Sequence, residues 1–463
     1  LGAIAVQFQQ GLSGQRVNTE RGNSEGGKRS SNTMTSETEW ADPYDLPIES
    51  LNVAQPGLFQ ADGQWRYFER LRNEAPVHYC ADSDFGPYWS VTRYQDIFKV
   101  DTDPRRFSSA QGITIGGAGG TPVPKDQQLQ GTEKQKVQQQ FDGFGMFIAM
   151  DPPKHDLQRA TVTGVVAPPN LAVMATTIRT RAGAILDALP LGETFDWVDR
   201  VSIELTTQML ATLFDFPFED RRKLTRWSDV ATNPPGTGVT ASAAQRREEL
   251  VECLTYFTAL WNERVKAPKK GDLISMLAHG EATKNMVPFE FLGNLLLLIV
   301  GGNDTTRNSI SGGVLALNEN PAEYAKLRAE PGLIPNMVSE IIRWQTPLAH
   351  MRRTTTETVE LNGVTIPQGE KVVMWYVSGN RDERSIARAS EFLIDRDKAR
   401  QHLSFGFGIH RCMGNRLAEM QLRILWEEIQ KRFAFVEVMA QPTRTYSTFV
   451  KGFTDMPVRL HPL

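Results

Sequence analysis

The 463-residue chain carries 51 Lys and Arg against 54 Asp and Glu, a formal net charge of −3, and 40% hydrophobic residues. This near-balance gives no global pull toward nucleic acid or an anionic membrane, so an electrostatic partner must read a local patch, while the apolar content suffices for a substantial core. Its 3 cysteines, with no C-x-x-C pair, indicate a reducing compartment and leave too few thiolates for a zinc site or an iron–sulfur cluster.

Residues 1–40 are rich in Gly, Ser, Gln, Asn and Thr and lack a hydrophobic period, so a disordered tail is expected there. Since Met34 stands just before the first globular-looking sequence, residues 1–33 are expected to be an appended or upstream-translated stretch, with a functional tail as the alternative. Over residues 41–463 helical periodicity dominates, with strand-like runs at Tyr88–Thr92, Val359–Ile366 and Lys371–Tyr376. The expectation is a single, mainly α domain with a small β region. Two loose segments interrupt it, Gly112–Gly145 and Asn233–Ser242. The glycines at 116–120 are no phosphate cradle, because Thr121-Pro122-Val123-Pro124 follows where a helix would have to begin. The longest apolar run, Phe291–Val300, contains Asn294 and is too short to span a bilayer, and no basic-plus-apolar leader is visible. A cytoplasmic protein without a membrane span is expected.

The segments that carry chemistry follow in chain order. Asp151-Pro152-Pro153-Lys154-His155 reads as a helix start that places His155 and Arg159 on one face, two groups able to hold an anion or to form ordinary surface ion pairs. Phe289–Asn318 reads as a long buried helix cut by Gly301-Gly302-Asn303-Asp304-Thr305-Thr306. Two adjacent glycines weaken a helix by about 1 kcal/mol each, and an unpartnered buried polar group costs roughly as much again or more. Leu298, Gly302, Thr305 and Ser309 share one face, Asp304 is rotated away, and a bare Gly302 would let a flat cofactor or a diatomic ligand approach the backbone. A helix kink with a capping threonine is the other reading. Glu340 and Arg343 share a face of the helix Met337–Trp344. Finally, Phe405-Gly406-Phe407-Gly408-Ile409-His410-Arg411-Cys412-Met413-Gly414 sets one sulfur in a glycine-rich turn at the mouth of the amphipathic stretch Asn415–Phe433. Close backbone N–H groups and the helix N-terminus favour a thiolate, hence a ligand or a nucleophile. A single thiolate suits an axial ligand to haem iron, although a lone cysteine also fits a buried inert or redox residue.

The peptide Phe405–Gly414 resembles the haem-binding signature of the cytochrome P-450 monooxygenases, and three further features in the right order between Pro152 and Arg396 extend the likeness. The resemblance implies that family's fold, haem b ligated by Cys412, and O2 as co-substrate. Thr305 and Asp304 correspond to the family's alcohol and acid, which handle protons for dioxygen cleavage. His155 and Arg159 match its His-x-x-x-Arg anchor for a haem propionate. Arg353, ten residues before Gly363, and His410 are implied as further propionate contacts. Glu340, Arg343 and Arg396 match a buried structural triad beneath the cysteine loop.

Family topology places Ile148, Leu297, Leu298, Gly302, Leu348, Met351 and Val450 around the substrate, and the two loose segments as mobile entrance elements. Leu295–Gly313, Met374–Arg384 and Phe405–Glu428 are most similar to the bacterial alkane and fatty-acid terminal hydroxylases. This implies conversion of a medium-chain alkane, or of a chain with one polar end, to the primary alcohol. A sterol side-chain or other lipid hydroxylase is the alternative, and a non-catalytic haem-thiolate sensor the rival from another class. No flavin or nicotinamide domain is recognisable, so a ferredoxin and its reductase are expected to deliver electrons from NAD(P)H to a monomer. Arg411, Arg416, Arg423, Lys431 and Arg432 are the expected docking face for an acidic ferredoxin.

Overall fold

The computed structural model describes residues 40–116 and 145–463. The expected tail up to residue 39, the glycine run at 116–120 beyond Gly116, and most of the entrance segment Gly112–Gly145 lie outside the described residues. Trp40, assigned to the tail, already packs against the core cluster that contains Leu58 and Trp375.

In chain order the architecture begins with α1 (Gln64–Glu74), β1 (Val77–Cys80), β2 (Tyr88–Val91), α2 (Tyr94–Asp101) and β3 (Phe107–Ser108). After the undescribed segment come α3 (Lys154–Thr163), α4 (Pro168–Asp187), β4 (Thr194–Asp196), α5 (Glu204–Phe214), α6 (Arg222–Thr232), α7 (Ala243–Lys266), α8 (Leu273–His279) and α9 (Pro288–Glu319). The C-terminal part adds α10 (Ile334–Gln345), β5 (Met351–Thr355), β6 (Lys371–Met374), α11 (Asn415–Gln430), β7 (Phe433–Val438) and β8 (Pro457–Pro462). The protein is mainly helical with small sheets, as expected. The anticipated helix Phe289–Asn318 is realised as α9, with Pro288 at its first turn, where a missing N–H costs nothing. The strand-like run Val359–Ile366 is instead a hairpin, because Asn362 (φ 52°) and Gly363 (φ 76°) both adopt the left-handed region that a tight two-residue turn demands.

Helix α9 runs through the main apolar core, packed by α5, α6, α10 and α11. A five-stranded sheet of order β1-β2-β6-β5-β3 stands beside it, antiparallel except for the β2–β6 pair. A second sheet, β4-β8-β7, closes the C-terminal end. Helices α6 and α7 are joined by the loop at 233–242, as anticipated. Among the described residues no single helix is long and apolar enough to cross a membrane.

Candidate active site

The loop before α11 is shaped by two glycines with φ +63°, Gly406 and Gly408, and a Cβ on Gly408 would lie 2.4 Å from the carbonyl oxygen of Asp101. No L-residue with a side chain fits there without displacing α2. Asp101 also ties the loop down. Its Oδ2 accepts from the Phe407 N–H at 2.7 Å and the Tyr376 hydroxyl at 2.8 Å, and its Oδ1 accepts from Arg353 Nη2 at 2.8 Å. Cys412 closes the loop by donating its N–H to the Phe405 carbonyl at 2.8 Å. Its accessible surface is cavity wall, since the sulfur lies deep within the protein. The N–H groups at the helix start favour a thiolate, and burial opposes them. Burial pushes the Cys412 thiol up, outweighing the Gly414 and Asn415 N–H groups and the charges of Arg159 and Arg411. Metal ligation, which deprotonates a thiol outright, is what would reverse that balance.

On the facing side, α9 presents Gly301 and Thr305 to the same cavity. The Thr305 hydroxyl donates to the Gly301 carbonyl at 2.9 Å, so these two residues share the open face one turn apart. A Cβ on Gly301 would meet nothing within 4 Å, whereas one on Gly302 would meet Leu210 Cδ2 at 2.8 Å. The role of open approach given to Gly302 therefore belongs to Gly301, because Gly302 is needed for the close packing of α5 on α9. Asp304 is rotated away and fully buried, with Oδ1 2.8 Å from Arg307 Nη2 and Oδ2 accepting from the Ser228 hydroxyl at 3.1 Å. Burial raises its carboxyl, and the Arg307 charge opposes that rise. Arg307 bonds Asp229 Oδ1 at 2.6 Å and faces α6 rather than the cavity.

Between Cys412 and Thr305 lies a predominantly apolar cavity of about 450 Å3. Ile148, Leu297, Leu298, Leu348, Met351 and Gly302 border it. Val450 does not. Its backbone pairs with Leu348, and since neighbouring residues of extended chain point to opposite sides, Phe449 takes the place at the wall.

Three basic side chains, Arg159, Arg353 and His410, border the cavity on the Cys412 side. His155 stands behind His410, ring centroids 4.4 Å apart at 67°. Buried His155 Nε2 and His410 Nδ1 have no hydrogen-bond partner among the described residues, although His410 Nε2 pairs with the Ser109 hydroxyl at 2.9 Å and His155 Nδ1 with Asp156 Oδ1 at 2.7 Å. Burial, then Arg353, His155 and Arg159 around it, push the His410 imidazole down to about 2. Two orphaned nitrogens in an electropositive pocket beside a lone sulfur fit haem and its propionates.

Glu340, Arg343 and Arg396 come together as a buried triad. Glu340 Oε1 and Oε2 accept from Arg343 at 2.7 and 2.8 Å, and Oε2 also accepts from Arg396 Nε at 2.8 Å. Arg343 donates to the Asn380 carbonyl at 2.8 Å, and Asn380 in turn accepts from the Leu403 N–H at 2.7 Å and donates to the Ser404 hydroxyl at 2.9 Å. Asn380 thus links the triad to the start of the cysteine loop, a role that its sequence context did not reveal. Asp101 was likewise missed, because an aspartate ending a helix carries no signal of a partner at Arg353.

The basic face divides in two. Arg411 and Arg416 are exposed and form no ion pair among the described residues. At the far end of α11, Lys431 pairs with Glu428 at 2.7 Å, and Arg432 pairs with Glu428 at 2.6 Å and Asp187 at 2.7 Å. Arg423 stands 3.8 Å from Glu427.

The family model described as Cytochrome P450 matches residues 191–457. Linalool 8-monooxygenase of Pseudomonas putida is 33% identical, covering 90% of this chain and 100% of its own. The methyl-branched lipid omega-hydroxylase of Mycobacterium bovis is 29% identical, covering 90% and 96%. Among solved structures, cytochrome P450-153 from Novosphingobium aromaticivorans superposes with a TM-score of 0.78 at 45% identity, over 89% of this chain and 99% of that one. CYP153D17 from Sphingomonas sp. PAMC 26605 gives 0.79 at 47%, over 88% and 98%.

Proposed function

This chain belongs to the cytochrome P450 family and is a haem-dependent monooxygenase, and from that premise we propose that it hydroxylates the terminal carbon of a medium-chain alkane or fatty acid. Haem b, when bound, supplies dioxygen activation and electron transfer at its iron. Cys412 would hold that iron. His155, Arg159, Arg353 and His410 would neutralise the propionates, and the Glu340–Arg343–Arg396 triad keeps the loop in register through Asn380. On the opposite side the Thr305 hydroxyl orders protons at the open gap beside Gly301, and Asp304 supplies them from the interior.

The observation that carries the substrate reading is the wall chemistry. Ile148, Leu297, Leu298, Leu348 and Met351 offer no acid or base between Cys412 and Thr305, so near the gap the position attacked is set by the shape of the walls. A terminal methyl has the strongest C–H bond of an alkyl chain, and a narrow apolar channel is what favours it over the weaker interior positions. The resemblance of Leu295–Gly313, Met374–Arg384 and Phe405–Glu428 to terminal hydroxylases supports the reading, as does a relative that bears the name omega-hydroxylase. Electrons arrive from a ferredoxin that docks over Arg411 and Arg416.

Incubating the haem-loaded protein with a ferredoxin, its reductase, NAD(P)H and octane, octanoic acid or a sterol tests this. The expected product is the primary alcohol of octane or the terminal hydroxy acid of octanoate. Oxygenation confined to interior carbons, or to the sterol, rejects the reading.

A further inference from the structure

The cavity is bordered by one cation that none of the assignments above uses. Arg246 lies on the first turn of α7 and reaches the cavity beside Ala231 and Thr232, at the end formed by α6 and α7. Its Nε donates to the Val230 carbonyl at 2.9 Å and its Nη2 to the Ala231 carbonyl at 3.0 Å, capping the last turn of α6. A guanidinium has five N–H donors, and Nη1 makes no hydrogen bond among the described residues.

Among the described residues no carboxylate compensates this charge, and burial lowers the Arg246 guanidinium. Its neighbours differ: Arg226 on α6 is paired with Glu249 at 2.6 Å, and Arg264 on α7 with Asp215 at 2.9 Å. The other cations bordering the cavity, Arg159 and Arg353, are occupied near Cys412, the first bonded to the Arg411 carbonyl and the second to Asp101. A half-buried cation with no counter-ion among the described residues, facing a predominantly apolar cavity, is costly unless a ligand supplies the anion. Capping α6 would require only the two donors already engaged.

We propose that Arg246 receives the carboxylate of an aliphatic substrate, which makes a fatty acid rather than a neutral alkane the preferred ligand. The inference deepens the terminal-hydroxylation reading and rests on it for orientation. With the carboxylate held at the α6–α7 end, the chain runs down the apolar walls and the methyl end meets the gap between Cys412 and Thr305. A planar guanidinium with free N–H groups suits a carboxylate, and a methyl terminus cannot engage it.

The test titrates the haem-loaded protein with dodecanoate and with dodecanol, two chains of one length that differ in head charge, and follows the haem absorbance. The wild type is expected to bind dodecanoate more tightly. In Arg246→Gln, which can still donate to the α6 carbonyls, dodecanoate should weaken about tenfold or more, while dodecanol changes by less than about twofold. Arg246→Lys should retain most of the preference for the acid. Equal weakening of both ligands in Arg246→Gln, or a wild type that prefers the alcohol, overturns the proposal; the wild-type comparison decides even if the variant fails to take up haem. Because binding is the readout, a selective loss of dodecanoate stands even if product analysis finds interior hydroxylation, and that second result rejects the terminal reading alone.

Discussion

Asp304 and Arg307 form a buried ion pair at 2.8 Å, one helical turn apart, on the side of α9 turned away from the cavity. The acid proposed to feed protons to Thr305 is thus clamped by a cation and by Ser228, and burial holds its carboxyl above the ordinary range. Asp304→Asn removes the titratable carboxyl but keeps the shape. Turnover should fall about a hundredfold, with substrate affinity unchanged and a larger solvent isotope effect. Unaltered turnover would remove Asp304 from the proton route.

Glu340 accepts from both Arg343 and Arg396 and from the Leu393 N–H at 2.9 Å with no exposure to solvent. Glu340→Ala leaves two guanidinium groups buried without their acid, a change that typically costs about 3–5 kcal/mol. Denaturant unfolding should register that loss, and the variant should purify with little haem. Wild-type haem content would refute a role for the triad beneath the cysteine loop.

The apolar wall sets product position if the terminal reading holds. Leu348→Phe narrows the cavity near β5, and Leu298→Ala opens it along α9. Each should move hydroxylation along the chain, measured as the ratio of terminal to interior alcohols by gas chromatography. A ratio unchanged in both variants counts against this lining.

Redox docking should depend on the unpaired arginines. Arg416→Glu is expected to slow ferredoxin-dependent reduction at low ionic strength and to flatten its salt dependence. Arg432→Glu should have a much smaller effect, because Arg432 is neutralised by Glu428 and Asp187. Stopped-flow reduction rates with equal losses in the two variants would argue against a docking surface centred near Cys412.

A buried histidine makes stability depend on pH. His350 Nε2 accepts the Ile115 N–H at 3.1 Å, and Nδ1 pairs with the Thr448 carbonyl at 2.9 Å, so the folded ring is neutral. Burial pushes it down to about 4 from an ordinary 6.5. Between those values the unfolded chain binds a proton that the fold refuses, so stability is lost as pH falls through the window. The loss is about 1.4 kcal/mol per pH unit, roughly 3 kcal/mol in total. His402, pushed down to about 3 by burial, acts in the same direction. Urea unfolding from pH 7 to pH 4 should show this slope, and His350→Gln should be less stable at neutral pH but flatter in its pH response.

Much of the site was legible before any fold was known, and for a local reason. The helical period alone places His155 with Arg159 and Glu340 with Arg343, and the same period turns Asp304 away from Thr305. The glycines at 406 and 408 announce a backbone that only glycine adopts easily, hence a loop built around Cys412. Other features depend on how elements meet. Whether Gly301 or Gly302 opens the cavity was decided by Leu210 packing from α5, and whether Phe449 or Val450 lines it by which side of the backbone each occupies once Val450 pairs with Leu348. Asp101 beneath Arg353 and the cysteine loop, Asn380 between triad and loop, and the uncompensated Arg246 over the cavity join residues far apart along the chain. Such contacts arise from packing, and nothing in the adjacent sequence encodes them.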